Sequence, residues 1–128
     1  MNLLLDTHVA LWAITDSPRL PPPVRERIAN PANTVWVSVA SLWEITIKHS
    51  LGRGDMPVTG AQAKVYFEQS GYRLLNIEAA HVLAVADLPA LHADPIDRLL
   101  VAQALAEPLR LITHDAQVAR YSDTVVFF

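Results

Sequence analysis

The sequence predicts an α/β fold in which a parallel sheet is covered by helices on both faces. Five short segments rich in aliphatic and aromatic residues have the composition of strands. Segments with helical character separate each of these strands from the next. Strands that alternate with helices in this way run parallel, and nearly continuous apolar runs indicate strands buried on both faces.

The first half of the chain contributes two of the strands. Residues 2–6 (NLLLD) form a short apolar run, and residues 34–38 (TVWVS) combine β-branched and aromatic side chains. The second helix of this half follows three prolines, which suit a helix start, and Gly52 ends the third. A loop is predicted over residues 52–60, and the helices cover residues 8–14, 24–30, 39–51 and 61–70.

The second half contributes three more strands, over residues 72–77, 110–113 and 124–128. Helices are predicted near residues 78–86 and 116–121. A third helix follows the aspartates of the segment HADPIDRLLVAQALAE, which begins at His92. In an open sheet of this kind, ligands bind at the carboxyl ends of the strands. The residues that follow the strands are therefore the candidates for function.

Composition assigns residues 1–128 to a single domain. The chain is long enough for one core, and 52% hydrophobic against 18% charged residues excludes a disordered chain. No apolar stretch reaches the ~18–20 residues of a spanning helix, and the first residues lack the basic segment of a signal peptide. With no cysteine in the sequence, we expect a cytoplasmic protein that does not associate with membranes.

Two aspartates mark the start of the helix in the HADPIDRLLVAQALAE segment. Asp94 followed by Pro95 is typical of a helix N-cap with proline at the first helical position. Asp97 falls at the third helical position, where a carboxylate meets unpaired backbone N–H groups. The helix is apolar on nearly every side, so Asp97 is expected to be buried.

Three further acids stand near predicted strand ends. Asp6 ends the first strand, and Asp115 follows the fourth strand closely; each is also placed to cap a helix. Glu44 has no such role, because it lies in the second turn of the helix over residues 39–51. It stands on the shoulder of an apolar stripe, and its alternative role is an exposed ion pair with Lys48. The stripe consists of Ala40, Trp43, Ile47 and Leu51.

Together these acids predict a metal site. Asp6, Glu44, Asp97 and Asp115 are all placed near one edge of the sheet, where carboxylates in close contact repel each other unless a cation or protons are present. Oxygen ligands of this kind suit Mg²⁺ or Mn²⁺. A bound cation would also weaken the objection that a net charge of −3 raises against a nucleic-acid partner.

The motifs LLLDTHVALWAI, VSVASLWEITIK, LGRGDMP, HADPIDRLLVAQA and LITHDAQVARY occur in this order along nearly the whole chain. Together they resemble the PIN-domain ribonucleases, and more narrowly the VapC-type toxins of bacterial toxin–antitoxin modules. The resemblance implies a three-layer α/β/α fold with a five-stranded parallel sheet. It also implies hydrolysis of RNA phosphodiesters with Mg²⁺ or Mn²⁺, leaving a 5′-phosphate and a 3′-hydroxyl.

The resemblance places the family's four acids on Asp6, Glu44, Asp97 and Asp115, with Asp94 as a peripheral acid. Asp6 and Asp97 would hold the metal and its water. Glu44 would align or deprotonate that water, and Asp115 would complete the shell or hold a second ion. The partners implied are an RNA substrate, a small antitoxin and a second copy of the chain.

Several other residues have open roles. His8 and His114 flank the predicted site without being needed by an oxygen-rich metal, and the hydroxyls of Thr7 and Thr113 can orient carboxylates or serve in local turns. Arg98 is a candidate for a salt bridge in the site, a phosphate contact or a surface role. The backbone of RNA has further candidate contacts in Arg19, Arg25, Arg27, Lys48 and Arg53.

Apolar residues on or beside the short helices are candidates for a partner surface. An antitoxin helix or extended peptide would lie between the first helices and the arm over residues 52–60. An antitoxin arginine would reach the carboxylates. Each of these apolar residues has the core of the protein as its alternative location, and they are Trp12, Leu20, Trp43, Met56, Tyr66 and Phe67.

Two other classes of protein remain as alternatives. A phosphoacceptor receiver domain has a similar length, but it requires paired acids after the first strand and a lysine late in the chain. This sequence has Asp6 alone and no lysine after Lys64. A non-catalytic RNA-binding or protein-interaction module on the same fold tolerates the loss of an acid, whereas all four are present here.

Overall fold

A computed structural model describes residues 1–52 and 56–128 of the chain. Its centre is a sheet of five strands, all parallel, in the order β3-β2-β1-β4-β5. The prediction of a parallel α/β sheet is confirmed. The strands are β1 Asn2–Leu5, β2 Thr34–Ser38, β3 Arg73–Leu75, β4 Arg110–Thr113 and β5 Val126–Phe127.

The central strand β1 is buried on both faces. It pairs with β2 on one side, where Leu5 is opposite Val37, and with β4 on the other, where Leu5 is opposite Ile112. Leu3 and Leu5 pack into one core, whereas Leu4 packs into a second core with residues of the helix after Asp94. An apolar run without alternation therefore fits this strand, because neither face of the sheet meets water.

Seven helices surround the sheet. They are α1 Thr7–Ile14, α2 Pro22–Ala29, α3 Val39–Ser50, α4 Gly60–Gln69, α5 Ala79–Ala84, α6 Pro95–Ala106 and α7 Ala116–Ala119. A short 3₁₀ helix, Val85–Asp87, continues α5, and no helix of the described ranges is long and apolar enough to cross a membrane. The observed β3, β5 and α7 are shorter than predicted, and Asp6 lies outside β1 as the N-cap of α1.

Only Ala40 of the apolar stripe predicted on α3 lies in the core, and the other three residues of the stripe are exposed. Trp43 is 57% exposed and Leu51 is 62% exposed, whereas Ser41, Glu44 and Ile45 are buried. The reason is a contact between elements: the Thr7 hydroxyl donates a 2.8 Å hydrogen bond to the Ser41 hydroxyl, and α3 also packs against α4 and α6. Hydrogen bonding allows this polar face of α3 to be buried.

The helices α3 and α4 approach most closely at Gly60. A Cβ atom placed on this glycine would collide with the Oγ1 atom of Thr46, whose hydroxyl donates to the carbonyl of Leu42. The loop that connects these helices contains Arg53-Gly54-Asp55, which lies outside the described residues, as does the candidate RNA contact Arg53. Met56 and Val58, in the described part of this loop, are buried in the core.

We predict that Gly60→Ala lowers the free energy of unfolding by about 1–3 kcal/mol, because the added methyl group forces Thr46 or the α3–α4 contact to move. Urea unfolding measures the change. Adding Thr46→Ala to Gly60→Ala should recover most of the loss, since the colliding atom is then gone. If the two changes add without recovery, the Thr46 contact is not the source of the strain.

Candidate active site

A cavity of about 680 Å³ opens at the carboxyl edge of the sheet. All five acids singled out from the sequence line it, together with the two flanking histidines. The parallel sheet and the helices that follow its strands therefore bring the candidate residues together. The lining acids are Asp6, Glu44, Asp94, Asp97 and Asp115.

Asp6 is held between β1 and α1. Its Oδ1 atom accepts the backbone N–H of His8 at 3.1 Å, and its Oδ2 atom accepts the hydroxyl of Thr113 at 2.7 Å. The Thr113 hydroxyl thus orients a carboxylate, one of the two roles considered for it. Burial raises the pKa of Asp6, and these hydrogen bonds oppose the increase.

Glu44 is only 6% exposed on the buried face of α3. The Lys48 ammonium group donates to its Oε2 atom at 2.6 Å, so the i, i+4 pair exists, but with a buried carboxylate rather than an exposed one. The other oxygen, Oε1, is buried without a hydrogen-bond partner among the described residues. A carboxylate oxygen without a partner is costly to bury, so this atom is suited to a ligand of the cavity.

Asp97 lies in the first turn of α6, and its side chain is 19% exposed rather than fully buried as predicted. Because Asp97 lines the cavity, part of its side chain remains exposed to solvent. Desolvation raises the pKa of Asp97 to about 7, and the charges of Asp6, Asp94 and Glu44 add to the increase. Without a cation, this carboxylate is the one whose negative charge the site tolerates least.

Asp94 is the N-cap of α6, as predicted. Its Oδ1 atom accepts the backbone N–H of Ile96 at 2.8 Å and that of Asp97 at 3.1 Å. Pro95 follows at the first helical position. The Asp94 carboxylate faces the cavity with one edge, but its main contacts are with the helix it starts, which agrees with a peripheral position.

Asp115 caps α7 by accepting the backbone N–H groups of Gln117 and Val118. Its Oδ2 atom lies 3.0 Å from the Nε2 atom of His92. Partial burial acts to raise the pKa of Asp115. The hydrogen bonds from His92 and from the two backbone N–H groups together outweigh this effect, so the pKa of Asp115 is lowered. This acid therefore stays ionised when Asp97 does not.

His92 was not among the residues selected from the sequence, yet it joins two of the acids. Its Nε2 atom is 3.1 Å from Asp97 Oδ2 as well as 3.0 Å from Asp115 Oδ2. Burial alone would lower the pKa of His92, but the hydrogen bond and the negative charges of Asp97, Asp115 and Asp94 together raise it. The only sequence signal was its position two residues before the helix cap.

The tautomer of His92 follows from its surroundings. The Nδ1 atom accepts the backbone N–H of Asp94 at 3.0 Å, so in the neutral ring the proton is on Nε2. The backbone N–H of His92 donates to the hydroxyl of Tyr121, which fixes the loop. One atom of each of His92, Asp97 and Asp115 lies within 4.8 Å of the others, the spacing of metal ligands, but this tautomer makes His92 a proton donor to both acids.

Arg98, whose role the sequence left open, is not among the residues that line the cavity. Its guanidinium donates to the carbonyls of Val85 and Leu88, where it holds the 3₁₀ helix against α6. Arg25 is also engaged elsewhere, in an ion pair with Asp16. Among the candidate cations in the described part of the chain, Arg19 and Lys48 are the ones that line the cavity.

The chemistry of this donor set fits a hard divalent cation. The carboxylates of Asp6, Glu44, Asp97 and Asp115 supply oxygen atoms only, and the Oε1 atom of Glu44 is buried without a partner among the described residues. A 2+ ion would also remove the repulsion that raises the pKa of Asp97. The arrangement can hold a metal-bound water and an anionic substrate group together.

Comparison with protein families adds one finding. The family model described as "PIN domain" matches residues 3–123, which includes all the acids of the cavity. Comparison with curated proteins found no match.

Several solved structures share this fold, and one of them is described as a toxin–antitoxin complex from Klebsiella pneumoniae. The VapBC2 complex of Rickettsia felis, bound to a DNA fragment from its promoter, has a TM-score of 0.69 and 19% identity over 100% of this chain and 98% of that chain. DNA-bound VapBC from Salmonella typhimurium has a TM-score of 0.68 and 16% identity, covering 100% and 97%. FitAcB from Neisseria gonorrhoeae has a TM-score of 0.64 and 19% identity, covering 98% and 96%.

The raised pKa of Asp97 predicts a pH dependence of stability without metal. The folded state binds the Asp97 proton more tightly than the unfolded state, so stability is present below pH ~4 and is lost as pH rises to about 7. In EDTA, Asp97→Asn should be more stable than the wild type at pH 8 by about 2 kcal/mol, and the two should converge near pH 4. Urea unfolding across this range measures the difference; a gap that does not change with pH would contradict the assignment.

Proposed function

Because the chain belongs to the PIN-domain family, we propose that it is a metal-dependent ribonuclease and the toxin of a toxin–antitoxin pair. The observation that carries the nuclease is the buried, unpartnered Oε1 atom of Glu44, a residue that lines a cavity together with four aspartates. A structural role explains the capping aspartates, but it does not explain a buried glutamate that leaves one oxygen unbonded.

Each acid has a part in this proposal. Asp6 and Asp97 would hold Mg²⁺ or Mn²⁺, and such an ion would supply a water of lowered pKa and a positive charge beside the phosphate. Glu44 would orient that water through Oε1 and accept its proton, while Lys48 keeps the other oxygen in place. Asp115 would complete the ligand shell, and His92 contacts both Asp115 and Asp97.

The substrate in this proposal is RNA with an accessible phosphodiester. The cavity is open to solvent, and Arg19 and Lys48 line it beside the acids. No element of the described chain resembles a module that reads a base sequence, so the shape of the RNA and the accessibility of its loops select the cleavage site, as in a structured RNA such as tRNA.

We predict RNA cleavage that requires Mg²⁺ or Mn²⁺ and stops in EDTA. Asp6→Asn, Glu44→Gln and Asp97→Asn should each lower the rate by at least ~100-fold, because each removes a charge and retains the shape of the side chain. End mapping of the products should show 5′-phosphates and 3′-hydroxyls. The matched control is Asp87→Asn, an acid at the end of the 3₁₀ helix outside the cavity, which should cleave like the wild type.

The result that overturns this assignment is cleavage that persists in the purified Asp6, Glu44 and Asp97 variants. Such activity would come from another site or from a contaminating nuclease. The Asp115→Asn variant distinguishes the finer roles: a changed Mn²⁺ affinity with retained cleavage would place Asp115 outside the essential shell.

The exposed apolar face of α3 and α4 supports the second part of the proposal, a small antitoxin partner. Trp43 and Leu51 on α3 and Val65 and Tyr66 on α4 are all more than two-fifths exposed. Three of the other apolar residues considered for a partner, Leu20, Met56 and Phe67, are buried in the core instead. An exposed apolar face of this kind suits an amphipathic helix of the antitoxin. An antitoxin arginine would pair with the carboxylates.

We predict that the chain stops growth when expressed alone and is neutralised by the product of the neighbouring open reading frame. Trp43→Asp and Tyr66→Asp should weaken that complex by at least ~100-fold, since buried aromatics dominate interface energies. Leu83→Asp, an equally exposed apolar position on α5, is the control. Calorimetry measures affinity, and sedimentation tests the expected homodimer. A harmless monomer that binds no neighbouring product contradicts the toxin assignment but not the nuclease.

A further inference from the structure

One wall of the acidic cavity is aromatic. His8, Trp12 and His114 line the cavity as the carboxylates do, and Arg19 lies beside Trp12. The Trp12 ring lies 6.2 Å from the His8 ring and 5.8 Å from the His114 ring, measured between centroids. The metal chemistry described above uses none of these four residues.

This wall is held in place from behind. Trp12 meets Phe128 edge-on at 6.4 Å, and His114 stacks on Phe128 at 4.8 Å. The Nδ1 atom of His114 donates to the backbone carbonyl of Phe128, which fixes the orientation of an otherwise exposed imidazole. Three elements, α1, the end of β4 and the residue after β5, therefore fix the orientation of the aromatic rings before any ligand arrives. A preorganised surface of this kind loses little entropy on binding.

A cation lies over the ring of Trp12, which packs against the core and also lines the cavity. The guanidinium carbon of Arg19 lies 5.9 Å from the centroid of the ring, within the range of a cation–π contact. The guanidinium of Arg19 donates no hydrogen bond to any described residue and forms no ion pair with one. At an exposed position such a contact is worth only about 0.5–1 kcal/mol, so a flat ligand can displace the guanidinium.

The two walls together define the ligand. The acidic wall accepts an anionic group only through a cation, and the aromatic wall accepts a flat π system. Trp12 follows Asp6 by six residues, which is ~9 Å along the axis of α1, a separation within the reach of one or two nucleotides. A molecule that joins a phosphate to a planar aromatic group over this distance is a nucleotide.

We propose that Trp12 is the stacking surface for the base of a nucleotide next to the scissile phosphate, and that Arg19 moves from the ring to that nucleotide's phosphate. His8 and His114 border the base at its edges. This inference rests on the proposed ribonuclease function and names what that site selects: an unpaired nucleotide, because a base held in a duplex cannot reach the ring.

The test compares a ligand with a base to the same ligand without one. Calorimetry in Mg²⁺ should show that AMP and UMP each bind about tenfold more tightly than ribose 5-phosphate, since one stacked base contributes about 1–3 kcal/mol. Trp12→Leu should abolish this difference, and Trp12→Phe should retain most of it. Trp43→Leu, which removes an exposed tryptophan outside the cavity, should leave the difference unchanged.

The wild-type comparison needs no variant, so the test holds even if Trp12→Leu fails to fold. Equal binding of AMP, UMP and ribose 5-phosphate overturns the stacking surface, as does a Trp12→Leu protein that still discriminates between them. Either outcome leaves metal-dependent cleavage untouched. The converse result is a protein that cleaves no RNA and still binds AMP more tightly than ribose 5-phosphate in a way that requires Trp12. That result would support the nucleotide site and contradict the proposed nuclease activity.

Discussion

Carboxylates that share one cavity repel each other, and the local contacts around each acid determine how much of that repulsion is offset. The negative charge of three of the acids is stabilised by local contacts. The Thr113 hydroxyl donates to Asp6, Lys48 pairs with Glu44, and backbone N–H groups and His92 donate to Asp115. Asp97 has the least compensation, and its pKa rises to about 7 in consequence. The fold therefore tolerates the cluster but does not neutralise it, which is the electrostatic condition of a site that binds a cation.

Helix capping and metal binding are not competing explanations for these aspartates. In a parallel α/β sheet every strand leads into a helix at the same edge, so the N-caps of α1 and α7 converge there. Asp6 and Asp115 cap their helices with one part of the carboxylate and face the cavity with another. The capping hydrogen bonds fix the orientation of the carboxylate oxygens. The convergence of the capping aspartates at one edge concentrates negative charge in the cavity. A residue selected for one purpose is thus placed for the other.

Much of this architecture could be predicted because its signals are local. The strands at residues 34–38 and 110–113 and the cap–proline pair at Asp94 follow from residue type and spacing alone. What could not be predicted depends on contacts distant in sequence. His92 meets Asp115 across 23 residues, and α3 turns its tryptophan outward because the Thr7–Ser41 hydrogen bond, across 34 residues, fixes the opposite face against α1. Periodicity identifies the faces of a helix but not which of them a neighbour will cover.

The balance of charge explains why the cavity has two unlike walls. A chain of net charge −3 with few basic residues near its cavity cannot attract RNA by phosphate contacts alone, as a basic nucleic-acid-binding surface does. A divalent cation reverses the local sign at one point only, the acidic wall. Beyond the phosphate contact proposed for Arg19, affinity for the remainder of the nucleotide would come from a contact that carries no net charge, and stacking on the Trp12 indole is such a contact. Because Asp6 caps the helix that carries Trp12, the proposed positions of the base and of the phosphate would be set by one rigid element rather than by two loops. In the proposed site, the geometry that selects an unpaired nucleotide is therefore the same geometry that would present its phosphate to the metal.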